Sequence, residues 1–226
     1  CVFVGTDRGI RLKSRRERGG TVEDIRVTNV VMTDVMCPFI MNLYYGCGAW
    51  GTDKIADRSP WSVNEGTPRF RRIHFSDITA RNNQGDGFYI ANCNTSWADG
   101  VTIRSSSVSS NGRMGIAVVA GKNVRAESMT YHNIALALVD VEPDWNANYR
   151  QGGTDLVFSG ATSTGWIGKY PDGSSGTAAF YIGTPYGAQS GKYAPLVGRI
   201  SISGHRIQDA KYGMWSHVNS TGGYRM

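Results

Sequence analysis

The chain has 226 residues, with 24 Lys and Arg against 18 Asp and Glu and a net charge of +6. That length suits one large β domain, and the 29 glycines and 11 tyrosines suit strands and turns. No apolar run approaches the roughly 20 residues of a membrane-spanning helix. No segment shows capped, amphipathic helical periodicity over several turns.

Cys1-Val2-Phe3-Val4 reads as a strand already in mid-pattern. It predicts a mature or truncated piece that lacks N-terminal rungs. Basic residues crowd next, at Arg8, Arg11, Lys13, Arg15, Arg16 and Arg18, and again at Arg69, Arg71 and Arg72. Such clusters either form a groove for an acidic partner or a solvated basic turn.

Two apolar steps then recur along the chain. Ile25-x-Val27 is followed by Phe39-x-Met41, and Ile73-x-Phe75 by Phe88-x-Ile90. Val101-x-Ile103 is followed by Ile116-x-Val118, Val124-x-Ala126 by Val139-x-Val141, and Ile200-x-Ile202 by Met214. The offset is about 14–15 residues each time, and a fixed repeat of this kind signals stacked units. Alternation within each step signals strands. The predicted fold is all-β: one right-handed parallel β-helix domain over 1–226.

Three stretches interrupt the pattern: 46–69, 143–153 and 165–195. Long connections of this kind are functional or poorly ordered. In a β-helix they leave from the turns and wall a groove. Their aromatics, Trp145, Trp166, Tyr170, Tyr181 and Tyr186, either stack on sugar rings or cover the sides of the fold.

Cys1, Cys37, Cys47 and Cys93 show no CxxC spacing, and His74, His132, His205 and His217 are scattered. That pattern argues against zinc and against a Ser-His-Asp arrangement. Cys37 and Cys47 either close a short disulfide loop or remain packed thiols.

Gly9-Ile10-Arg11-Leu12-Lys13-Ser14, Arg18-Gly19-Gly20 and Val22-Glu23-Asp24-Ile25 fall in order. Pro38-Phe39-Ile40-Met41-Asn42-Leu43-Tyr44-Tyr45 and Thr67-Pro68-Arg69-Phe70-Arg71-Arg72-Ile73-His74-Phe75 follow. Over residues 1–80 this resembles the C-terminal region of glycoside hydrolase family 28, the polygalacturonases. The resemblance implies a secreted enzyme that hydrolyses an acidic, galacturonan-type polysaccharide without a cofactor. Arg11 and Lys13 lie two apart on a strand and so share a face. By the resemblance they grip a galacturonate carboxylate beside the scissile bond, with Tyr44 or Tyr45 contacting substrate. An Arg fork holds a carboxylate bidentately.

The family's Asp-Asp and His-Gly motifs are missing, and Asn94-Thr95 is followed by Ser96. Residues 81–226 resemble generic parallel β-helix repeat proteins, through Ala98-Asp99-Gly100-Val101-Thr102-Ile103, Asn111-Gly112-Arg113-Met114-Gly115-Ile116 and Val139-Asp140-Val141-Glu142-Pro143. That group includes hydrolases, lyases, epimerases and phage tail fibres.

Within this part Asp140 and Glu142 are the best carboxylate pair. With Val139 and Val141 inward, both acids point outward, about 6.5–7 Å apart along the strand. Inverting glycosidases place their two carboxyls roughly 6.5–9.5 Å apart. Crowded carboxylates raise the pKa of one, which supplies an acid. The same pair suits Ca²⁺, in a lyase with Arg113 or Arg150 as base, or a structural role before Pro143. Asp99-Gly100 and Asp86-Gly87 read as turns, and Gly112, Gly115 and Gly121 as tight corners.

The expected function is hydrolysis of an acidic polysaccharide by Asp140 and Glu142, with Arg11, Lys13, Tyr44 and Tyr45 binding substrate and no metal. The alternatives are a Ca²⁺-dependent lyase and a non-catalytic, tail-fibre-like or inactive solenoid. Positive charge not interleaved with a base-reading motif argues against nucleic acid. No membrane partner is expected.

Overall fold

A computed structural model of the chain describes residues 1–42, 62–91, 98–142, 145–146, 149–150, 152–168, 178–183 and 196–217. Among these residues the fold is all-β, with no helix. Two parallel sheets carry it. The smaller has seven strands in the order Arg8–Lys13, Cys37–Asn42, Phe88–Ile90, Ile116–Val118, Val139–Val141, Phe180–Gly183 and Met214–His217. That spatial order is also chain order. The larger has 13 strands and includes Thr21–Thr33, Arg69–Arg81, Ala98–Arg104, Arg125–Glu127, Leu156–Ser159 and Ile200–Ser203. Each pass of the chain adds strands to both sheets.

The apolar steps fix the register. Val27, Phe75 and Ile103 are paired partners, followed through Ala126 to Phe158 and Ile202. In the small sheet Phe39, Phe88, Ile116, Val139, Phe180 and Met214 form one row. All of these residues except Met214, which is exposed, meet in a single core. Phe39, Phe75 and Phe88 pack there with centroid separations of 4.3, 6.0 and 5.7 Å. Such tilted ring pairs contribute beyond the area that they bury. A one-residue slip would turn this whole row outward, so the alternating pattern specifies the register.

Passes are held at constant phase although their lengths differ. Cross-pass partners lie 23 residues apart at Arg104 and Glu127, 28 at Asn83 and Asn111, and 48 at Arg72 and Asp24. The extra chain is inserted after small-sheet strands, at 43–61, 92–97, 143–151 and 184–195, and at 169–177. The 165–195 interruption is therefore two insertions. Phe180–Gly183 between them is a regular small-sheet strand with Phe180 and Ile182 in the core.

The corners are turned by polar residues and by glycines other than the expected ones, such as Gly100, Gly160 and Gly165. Left-handed backbone recurs every five residues at Asp24, Asn29 and Asp34, at Arg72, Asp77 and Asn82, and at Asn123, Ser128 and Asn133. Asn and Asp tolerate this conformation best among residues with a Cβ. Gly112, Gly115 and Gly121 do not have positive φ. They are close-approach positions: a Cβ on Gly115 would lie 2.5 Å from the Tyr131 ring and 2.6 Å from the Leu138 carbonyl.

One buried turn carries a polar stack. Asn83 Nδ2 donates to Asn111 Oδ1 at 3.1 Å, and Val35 N–H donates to Asn83 Oδ1 at 3.0 Å. The change of resemblance near residue 80 leaves no seam. The Arg69–Arg81 strand pairs with Thr21–Thr33 on one side and with Ala98–Arg104 and Ser107–Asn111 on the other.

Candidate functional site

The outer face of the small sheet presents an in-register row. Its members are Arg11, Ile40, Tyr89, Ala117, Asp140, Tyr181 and Trp215, one from each successive strand. From Arg11 to Tyr181 their strand neighbours belong to the core or pack on it, so alternation turns this row away from the core, whereas Met214 beside Trp215 is itself exposed. Lys13 pairs with Asn42 one step further along the same face.

The row places the two predicted half-sites on one face but not together. Arg11 and Asp140 are four strands apart, which is about 19 Å at the usual spacing of parallel strands. Arg11 therefore cannot hold the sugar next to a bond cleaved at Asp140. Arg11 is half-buried and Lys13 exposed. Beyond Lys13 the chain turns into a hollow of about 630 Å³ lined by Arg16, Glu17, Asn64, Glu65 and Thr67. Tyr44 and Tyr45 lie outside the described residues.

Asp140 faces outward as expected but is covered, at 5 % exposure, whereas Glu142 is half-exposed. Its row neighbours Ala117 and Tyr181 belong to a small apolar cluster with Met114, Leu136, Ala137 and Tyr89. Arg113 sits within electrostatic reach of Asp86, Asp140 and Tyr89 together. Its Nε donates to Asp86 at 3.2 Å, and the same carboxylate oxygen accepts the Met114 N–H at 3.1 Å.

These neighbours set the charges. Burial pushes the Asp86 carboxyl above its ordinary range, against the opposing pull of Arg113. The Asp86 carboxylate, foremost, raises the Arg113 pKa, so this guanidinium holds its proton more tightly still. That is the opposite of what a lyase base requires. The Arg150 side chain lies outside the described residues.

Beside Asp140 the row ends in aromatic rings. Tyr181 meets Trp215 edge-on with centroids 6.5 Å apart, and Trp215 meets Tyr212 in the same way at 5.6 Å. An amphipathic ring platform next to a carboxylate is a chemistry suited to sugars, which offer apolar C–H faces and polar edges. Of the aromatics singled out in the sequence, Tyr181 lies here. Trp166 lies instead on a large-sheet strand, its backbone N–H donating to Asn133 Oδ1 at 3.1 Å. Tyr170 and Tyr186 are outside the described residues, as is the Trp145 side chain.

Asp86 and Tyr89 are the residues that sequence reasoning missed, and Arg113 was offered there only as a lyase base. Asp86-Gly87 looks like any turn, and nothing in the sequence tells that Arg113 reaches back to it. The Asp99-Gly100 turn has a comparable cross-pass role, with Asn123 Nδ2 donating to Asp99 Oδ1 at 2.7 Å. Cys37 is a free thiol, pushed up in pKa by burial, and Cys47 lies outside the described residues. Among the described residues no three or more His, Cys, Asp or Glu side chains converge as metal ligands. Among the described residues no helix is long and apolar enough to cross a membrane.

No protein-family model matches the chain, and a search of the curated proteins finds no match.

Proposed function

We propose that the chain is a right-handed parallel β-helix that hydrolyses glycosidic bonds of an acidic, galacturonan-type polysaccharide. The observation that carries this reading is the outward row that joins Arg11, Asp140, Tyr181 and Trp215 along one sheet face. A polymer laid across the strands meets cations at one end, carboxylates further on and rings beyond them. The resemblance of residues 1–80 to the polygalacturonases supports the same substrate class.

In this reading Asp140, beside Arg113, is the base that activates water. Glu142, half-exposed and two residues on, protonates the leaving oxygen. Their separation of about 6.5–7 Å by strand geometry fits an inverting displacement with a water between the base and the sugar. Arg11 and Lys13 hold a uronate carboxylate several units away. They contribute binding along the polymer rather than at the cleaved bond. The chemistry needs no cofactor, and the enzyme acts outside the cell.

A second reading is a non-catalytic sugar-binding solenoid. The observation favouring it is the cover over Asp140, which suits a structural carboxylate as well as a reactive one. Incubation with polygalacturonate, with and without Ca²⁺, separates the readings. New reducing ends without ultraviolet-absorbing unsaturated products are expected, with loss of about 10²–10⁴-fold in Asp140→Asn or Glu142→Gln. Unsaturated products that require Ca²⁺ would replace hydrolysis by elimination. Silence in both channels together with retained binding would leave the non-catalytic solenoid.

A further inference from the structure

The large sheet carries a second polar concavity on its own outer face, away from the row just described. Three neighbouring strands build it in register. Arg26, His74 and Thr102 form one row, and Thr28, Ser76 and Arg104 form the next. The residues between them, Ile25, Val27, Ile73, Phe75, Val101 and Ile103, belong to the core or pack on it. Alternation therefore sends all six polar side chains outward. They line a hollow of about 300 Å³.

Phe75 also lines the hollow, and the rest of its lining is polar. Two guanidiniums stand at opposite corners of a two-by-three array, an imidazole lies between them, and three hydroxyls fill the remaining places. Strand spacing sets these side chains about 5 Å apart along a row and about 7 Å apart between rows. Arg104 is held in place, because its Nε donates to Glu127 at 2.8 Å across the next strand. That bond uses one edge of the fork and leaves the terminal nitrogens for another acceptor. The acidic groups nearby have partners of their own. Glu127 is held by Arg104, and Asp24, which feels Arg26, is held by Arg72 at 2.8 Å. Arg125 adds a further cation beside Thr102.

We propose that this hollow is an anion-binding subsite for one acidic sugar unit. The guanidiniums would take its carboxylate or sulfate group, and Thr28, Ser76 and Thr102 its ring hydroxyls. Donor-rich arrays of this kind match an anion flanked by hydroxyls and do not match a neutral apolar ligand. The sugar assignment rests on the acidic-polysaccharide reading, whereas the anion site itself does not. With both faces occupied, the protein would hold an acidic polymer at two places, on opposite sheets.

The test is isothermal titration of the intact chain with trigalacturonate and, separately, with sodium sulfate. Two double variants accompany it: Arg26→Gln with Arg104→Gln, and Arg11→Gln with Lys13→Gln. Their side chains lie outside the core, and an unchanged thermal midpoint checks the fold. The first pair is expected to weaken one class of trigalacturonate sites about tenfold or more, the size of a lost charge-assisted hydrogen bond. The second pair is expected to leave that class in place. Arg26→Lys with Arg104→Lys, which keeps charge but not the fork, should recover part of the binding. Unchanged binding in the Arg26/Arg104 variant overturns the proposal, while the reading of the small-sheet face stands if the Arg11/Lys13 variant loses binding. Sulfate binding that depends on Arg26 and Arg104, without trigalacturonate binding, overturns the sugar assignment in favour of a free anion. Wild-type chain that binds neither probe and releases no product overturns this proposal and the polysaccharide reading together.

Discussion

Arg113 reaches back one pass to Asp86 and donates its Nε to that carboxylate at 3.2 Å. Asp86 is only 8 % exposed, so desolvation dominates and raises its pKa. The sign follows. A carboxyl whose folded pKa lies above its unfolded value stabilises the fold below the unfolded pKa, and that contribution is lost as pH rises through the folded pKa. Asp86→Asn keeps an acceptor for the Met114 N–H and for Arg113 but removes the titration. The stability difference between variant and wild type is expected to shift in favour of the variant as pH rises from the carboxylate range to neutrality. Urea denaturation at a series of pH values measures it, and a difference that is flat across the series would contradict this account.

Asn83 and Asn111 form a stack inside a turn with almost no contact with water, at 2 % and 1 % exposure. Asn83→Ala removes the acceptor of the Val35 N–H and the donor to Asn111 Oδ1. Buried groups left unpaired cost the full desolvation penalty, so the loss is expected at about 2–4 kcal/mol. Equilibrium unfolding measures it. A loss within the range of ordinary surface substitutions would show that water replaces the amide.

His205 ties the pass that contains Ile200–Ser203 to the one before it. Its Nδ1 accepts the Ala161 N–H at 3.0 Å and its Nε2–H donates to the Phe158 carbonyl at 2.9 Å. The ring also packs on Phe180 with centroids 4.7 Å apart. Only the neutral tautomer makes both bonds, and desolvation lowers the pKa. A depressed histidine leaves stability intact above its unfolded pKa, and that stability is lost as pH falls through the folded value. Thermal midpoints are expected to fall below about pH 6.5, with a shallower fall in His205→Gln. Equal slopes would remove His205 from the account.

Gly115 has no room for a side chain, since a Cβ would meet the Tyr131 ring at 2.5 Å and the Leu138 carbonyl at 2.6 Å. Tyr131 is itself fully buried and has nowhere to move. Gly115→Ala is expected to cost about 1–3 kcal/mol through overpacking, read as a lowered thermal midpoint. Gly213, which has open space around its Cβ position, is the control at which alanine should be neutral.

The separation of Arg11 from Asp140 makes a prediction about substrate length. If both lie along one bound polymer, Arg11→Gln with Lys13→Gln should raise KM for long polygalacturonate by about tenfold. The effect should shrink as the substrate becomes too short to span the gap. A loss that is independent of chain length would place the cations beside the reacting bond after all.

How much of this was legible beforehand depends on range. The steps Ile25-x-Val27, Ile73-x-Phe75 and Val101-x-Ile103, with their small-sheet partners, give strand identity and register, because alternation is local. Leu156-x-Phe158 was missed, although it pairs in register with Arg125–Glu127. Its small-sheet partner Phe180-x-Ile182 comes only after the 169–177 insertion, which hides the spacing. The polar corners were missed for another reason. An isolated Asp, Asn or Ser in a polar stretch does not announce left-handed backbone, and only the five-residue recurrence across stacked passes reveals it.

The sequence by itself determined an all-β chain whose apolar residues alternate into one core. It also marked Arg11, Lys13, Asp140 and Glu142 as outward-facing chemistry. Tertiary structure alone decided which outward residues became neighbours. It set Arg11 four strands from Asp140, grouped Asp86, Asp140 and Tyr89 around Arg113, and brought Arg26, His74 and Arg104 into one hollow on the other sheet. Alternation is dictated within a few residues of a strand, by the pleat. Proximity across strands is set by passes that differ in length by whole insertions, so distance along the chain carries no measure of it.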